Sequence, residues 1–95
     1  LEQALLYAKK AVRLMPNSAP YLDTLGWIYY KMGSHTEAIS YVEKSIKIDG
    51  KNAIVIEHLG DILMENNQIY KAQKIYKQAL KLDEKNQTLK DKISQ

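Results

Sequence analysis

The sequence predicts an all-α chain of stacked antiparallel helix-turn-helix units. Three observations carry that expectation. Residues of like size recur at an interval of 34, a period that marks stacked supersecondary units. Within each unit, apolar residues return at three- and four-residue spacings, the pattern of an amphipathic helix. Composition agrees, because 95 residues contain only two prolines and four glycines among many Ala, Leu, Ile and Lys.

The period emerges when the chain is shifted against itself. Ala4, Ala38 and Ala72 coincide, as do Ala11, Ser45 and Ala79, and then Leu14, Ile48 and Leu82. In the other half of the unit, Ala19 meets Ala53, Leu22 meets Ile56, and Leu25-Gly26 meets Leu59-Gly60. Ile28 and Tyr29 fall on Ile62 and Leu63. Small residues stay on small ones and large apolar residues on large ones.

Each element then has a local reason. Residues 2–15 read as the second helix of a partial repeat. Residues 19–49 and 53–83 read as two full repeats, and 87–94 as a C-terminal capping helix, all within a single domain spanning 1–95. Asn17-Ser18, Asn52 and Asn86 precede helix starts, where a side-chain oxygen satisfies free N–H groups. Pro20 sits in a first turn, where its missing N–H costs nothing. Gly33 and its counterpart Asn67 suit the left-handed conformation that ends a helix. Ser34-His35-Thr36-Glu37 has the capping-box pattern. Gly26 and Gly60, with Ala38 and Ala72, are placed where two antiparallel helices cross and only small side chains allow close approach. Leu25, Tyr29, Val42 and Tyr76 are the large residues on either side. Leu89 and Ile93, spaced i, i+4, are expected to cover the end of the stack.

These motifs resemble the tetratricopeptide repeat, with its pattern W-x2-L-G-x2-Y followed by Ala, an aromatic, Ala and Pro. The first half is present as Leu22-x2-Leu25-Gly26-x2-Tyr29 and as Ile56-x2-Leu59-Gly60-x2-Leu63. The second half is present as Ala38, Val42, Ser45 and as Ala72, Tyr76, Ala79. Departures are Leu or Ile for tryptophan, Ala8 for the aromatic, and Gly50 and Glu84 for proline, which survives as Pro16. The resemblance implies a right-handed superhelix with first helices on the concave side and second helices on the convex side. Asp23-Thr24-Leu25-Gly26-Trp27 and His58-Leu59-Gly60-Asp61 are also similar in wording to bacterial repeat proteins, many of them envelope-associated. Either that compartment or the cytoplasm is compatible with the sequence.

Placing the charges on that frame sorts them by face. The first helices hold Asp23, Glu57, Asp61 and Glu65 against Lys31 alone, a net of −3. The second helices hold nine basic residues against Glu2, Glu37 and Glu43, a net of +6. Linkers and the last helix balance, which accounts for the overall +3. The expected groove is therefore acidic in a mildly basic chain, and it also presents Trp27, Tyr30, His58 and Met64. Carboxylates beside aromatics suit a peptide or helix that bears Lys or Arg with an apolar anchor. The plainer readings are that Trp27 packs against a neighbouring helix and that the carboxylates are a solvated face. Some tetratricopeptide repeats clamp acidic chaperone tails with Lys, Asn and Arg on first helices. The matching area here carries Asp23, Thr24, Trp27, Ile54 and His58, which do not form such a clamp.

Other classes fit less well. Lys9, Lys10, Arg13, Lys44, Lys47, Lys71, Lys74, Lys77 and Lys81 would make a phosphate-tracking stripe for RNA. They contain one arginine and no aromatic interleaving, so solvated outer faces explain them better. His58 and Asp61 share a helical i, i+3 spacing, yet no HExxH, glycine-rich phosphate loop or nucleophile motif accompanies them. No cysteine is available as ligand or nucleophile, and no apolar run is long enough to span a bilayer. Neither a metal nor any other cofactor is expected. Tyr7, Tyr21, Tyr41 and Tyr70 read as inter-helix packing residues.

The expected function is a non-catalytic protein–protein interaction scaffold. Its expected groove comprises Asp23, Trp27, Tyr30, Lys31, Glu57, His58, Asp61, Met64 and Glu65. The partner is a protein or peptide, with neither nucleic acid binding nor membrane insertion. The alternative is a structural module that self-associates through the 2–15 helix, where Leu5, Leu6 and Val12 lack a partner. An opening Leu1 in place of methionine fits a piece of a longer protein extending N-terminally.

Overall fold

The computed structural model describes residues 1–94. They form six helices: α1 (Glu2–Leu14), α2 (Ala19–Lys31), α3 (His35–Ile48), α4 (Ala53–Glu65), α5 (Ile69–Leu82) and α6 (Gln87–Ser94). Among the described residues there is no strand.

Helix starts follow side-chain chemistry at three places. The Ser18 hydroxyl accepts from the Tyr21 N–H at 3.3 Å, with Pro20 in the first turn of α2. The Asn52 side-chain oxygen accepts from the Ile54 and Val55 N–H groups. Asn86 does the same for Leu89 at 3.0 Å. Each contact satisfies a donor that the helix itself leaves free.

Ser34 departs from this pattern. It occupies the cap position of α3, but its side chain makes no capping hydrogen bond, so the expected capping box is not formed. The backbone closes this turn instead. Gly33 takes φ +82°, its N–H reaches the Tyr30 carbonyl at 3.0 Å, and the Ser34 N–H reaches Tyr29 at 2.9 Å. That pair of bonds is the Schellman arrangement. It recurs one unit later, where Asn67 at φ +60° donates to Met64 and Gln68 donates to Leu63.

The helices fall into two layers. α2, α4 and α6 lie on one side, and α1, α3 and α5 pack against them on the other. The tight crossings are those of the small residues, since Ala38 and Ala72 have no exposed surface. A methyl group added at Gly26 would lie 2.6 Å from Val42 Cγ2 and 3.1 Å from the Ala38 carbonyl oxygen. At Gly60 it would enter the Tyr76 ring. Only glycine lets α2 approach α3, and α4 approach α5, this closely. Ser45, in a column otherwise held by alanine, is buried and donates its hydroxyl proton to the Ala19 carbonyl at 2.7 Å.

Burial is unequal along the stack. α4 contributes Val55, Ile56, Leu59, Gly60, Ile62 and Leu63 to the interior, whereas α1 contributes Ala8 alone. Leu89 of α6 is fully buried and Ile93 packs beside it on the core. At the α1 end, Leu6 is 68% exposed, while Leu5 and Val12 are half-buried. The expected packing role fails for three tyrosines, because Tyr7, Tyr21 and Tyr70 are exposed. Tyr41 is a packing residue, stacked on Tyr29 with ring centroids 5.7 Å apart.

Candidate functional site

Two first helices carry all nine expected groove residues, Asp23 to Lys31 on α2 and Glu57 to Glu65 on α4. Four-residue spacing puts Asp23 and Trp27 one turn apart, as it does Glu57, Asp61 and Glu65. The side chains meet across the two units. His58 Nδ1 lies 3.1 Å from Asp23 Oδ1, and its ring sits 4.3 Å from that of Trp27, tilted by 30°. Tyr30 adds a second ring 4.7 Å from Trp27. The Lys31 ammonium stands over both, 5.3 Å from the Trp27 ring and 5.7 Å from the Tyr30 ring. Such contacts hold the cation by the quadrupole of the ring face. Trp27, Tyr30 and Met64 are all half-buried against the core. The result is an aromatic surface bridging two repeats.

The acidic residues do not stand open as the charge sorting implies. Lys92 of α6 reaches Glu57 Oε2 at 2.6 Å and Asp61 Oδ1 at 2.9 Å. Its ammonium also lies 5.5 Å from the Tyr76 ring, and the Tyr76 hydroxyl donates to the same Asp61 oxygen at 2.7 Å. Asp23 is engaged by His58. Glu65 is exposed and, among the described residues, stands outside these ion pairs. The expectation of an open acidic groove is thereby corrected. A cation from the capping helix answers two of its four carboxylates.

These contacts shift three titrations. Burial raises the Tyr76 phenol strongly, and its hydrogen bond to Asp61 raises it further. Burial would lower Lys92, but its hydrogen bonds to Glu57 and Asp61 outweigh that and hold it above the usual lysine value. Tyr30 is raised by burial first and then by the negative charges of Glu65 and Asp61, against the opposing charge of Lys92. Among the described residues, no three His, Asp or Glu side chains gather as metal ligands. None of the helices is long and apolar enough to cross a membrane.

Sequence reasoning missed Lys92 and the polar role of Tyr76. By charge alone, Lys92 disappears into linkers and a last helix that balance. The available signal is its position, three residues after Leu89 and one before Ile93, which sets it beside the packing face of α6.

Paired helices joined by Schellman turns, stacked in two layers with glycine at each crossing, define a helical-repeat protein. The tetratricopeptide repeat family model matches residues 19–52 and 55–86, and the chain belongs to that family. No curated protein matches it in sequence. Solved structures agree in fold. The chain is similar to the Arabidopsis OM64 TPR domain at 22% identity and a TM-score of 0.91, covering 98% of this chain and 77% of that one. It is similar to the second TPR domain of human RPAP3, in complex with HSP70 peptide SGPTIEEVD, at 17% identity and TM-score 0.89, covering 98% and 78%. Against a thermophilic TPR protein of Thermus thermophilus, identity is 22% and TM-score 0.89; 98% of this chain spans 47% of that protein. At these identities the likeness is one of fold.

Proposed function

We propose that this chain is a non-catalytic interaction module that binds a peptide or helix of a protein partner across α2 and α4. The observation that carries this reading is the aromatic surface of Trp27, Tyr30 and His58, which spans two repeats on the layer such folds use for binding. An apolar side chain of the partner packs against Trp27 and Tyr30, where large rigid rings supply contact area at little entropic cost. A basic side chain beside it meets the exposed carboxylate of Glu65. With Lys92 on Glu57 and Asp61, the preference for basic partners is weaker than the first helices alone would confer.

The RPAP3 neighbour's peptide, SGPTIEEVD, carries consecutive glutamates. Here the exposed carboxylate of Glu65 would repel a ligand of that kind, so the proposed ligand is of the opposite charge.

The test is a titration of labelled peptides, each with a lysine or arginine beside an aromatic or leucine, against the native chain, Trp27→Ala and Glu65→Lys. Loss of about tenfold or more in both variants, with unchanged helical circular dichroism, supports the reading. Equal affinity for all three proteins refutes it.

A further inference from the structure

The opposite layer carries a separate feature. α3 packs against α2 and α4, and α5 against α4 and α6, rather than against each other. Between them runs a cleft of about 490 Å³, floored by Leu59 and Leu63 of α4 and walled by Ile39 and Ile75. A second hollow of about 540 Å³ continues it past Ile46, sharing Glu43 and Leu59 with the first. Each is large enough to seat apolar anchors of a ligand.

The rim is cationic. Lys71 and Lys74 stand on the α5 side and Lys44 and Lys47 on the α3 side, against Glu43 as the acidic residue of the cleft. Lys44 lies 4.9 Å from the Tyr41 ring. Among the described residues, none of the four makes an ion pair. This reverses the situation on the first-helix face, where the chain answers most of its own charge.

We propose that the α3–α5 cleft is a second docking surface, for an acidic amphipathic segment of a partner protein. Its apolar side chains enter over Leu59 and Leu63 while its carboxylates meet Lys44, Lys47, Lys71 and Lys74. The aliphatic floor favours this occupant over nucleic acid, because the cleft offers no ring on which a base stacks and no arginine fork for phosphate. It also favours it over a bilayer, which takes up apolar groups that protrude, whereas these are recessed.

The experiment uses the full chain and labelled glutamate-rich peptides with leucines at i, i+4, beside versions with those leucines replaced by serine. Oligouridylate and phosphatidylserine vesicles serve as the other arms. Leucine peptides are expected to bind and to move the Ile39 and Ile75 methyl resonances. Binding is expected to weaken about tenfold or more in Lys71→Glu/Lys74→Glu, whose sites are exposed, and to persist in Trp27→Ala. Persistence in Trp27→Ala separates this surface from the aromatic one. The proposal is overturned if serine peptides bind as tightly, if RNA or vesicles move those methyls and peptides do not, or if no leucine peptide moves them.

Discussion

The Tyr76 hydroxyl donates to Asp61 Oδ1 at 2.7 Å, so the ring that lies opposite Gly60 also ties α5 to the first-helix face. Lys92 reaches the same oxygen from a third helix. Tyr76→Phe removes the hydroxyl and keeps the ring. Asp61 is partly exposed and retains Lys92, so the cost is that of one charge-assisted hydrogen bond, about 1–2 kcal/mol. Urea unfolding measures it, and an unchanged midpoint would show the bond to be idle.

Alkaline pH acts on the same three residues. Tyr76 and Lys92 are both held above their ordinary values. Below about pH 9 both keep their protons in folded and unfolded chains, and the full stabilisation is present. As pH rises further, the unfolded chain releases protons that the folded one retains, so stability falls. The urea midpoint is expected to drop between pH 8 and 11 by more in the native chain than in Tyr76→Phe/Lys92→Met. An equal drop would mean that other lysines and tyrosines govern the response.

Lys92→Met leaves Glu57 and Asp61 facing each other without their cation. Some stability is lost, about 1 kcal/mol for a half-exposed pair. On the proposed function, basic peptides should bind this variant several-fold more tightly and with steeper salt dependence. Fluorescence anisotropy at two ionic strengths distinguishes this from a purely structural bridge, which would leave affinity alone.

Gly26→Ala sets two effects against each other. Alanine favours the helix by about 1 kcal/mol, but its methyl meets Val42 Cγ2 and the Ala38 carbonyl. The carbonyl belongs to packed backbone and yields little, so overpacking of ~1–3 kcal/mol prevails. In a Val42→Ala background the same change should cost less. A double-mutant cycle with no coupling would place the strain elsewhere.

Periodicity is sufficient for the fold because it records which columns stay small and which stay apolar. It equates Gly33 with Asn67, and both adopt positive φ. It does not reveal that Ser34 leaves the α3 cap unmade, because the pattern records residue types and not where a hydroxyl is turned. Tyr7 and Tyr70 show a second limit. An aromatic at helical spacing reads as core, yet Tyr70 stands in a column with the exposed Glu2 and Thr36, and Tyr7 is exposed although its column-mates Tyr41 and Ile75 pack inward. The site is legible as a set of residues on α2 and α4, but its electrostatics depend on Lys92. That residue contacts carboxylates 31 and 35 positions away, and α6 has no repeat-mate from which its pose could be inferred.

The uneven sharing of the interior, six buried residues from α4 and one from α1, has a kinetic consequence. Members of a stack touch only their neighbours, so each can open without the rest once its own contacts are lost. Amide hydrogens of α1 should exchange with solvent first, while those of α4 wait for the whole chain to open. α6, though shorter, is pinned by Leu89 and Lys92 and should outlast α1. Fraying therefore runs from one end, and breathing at that end leaves the aromatic surface around Trp27 intact.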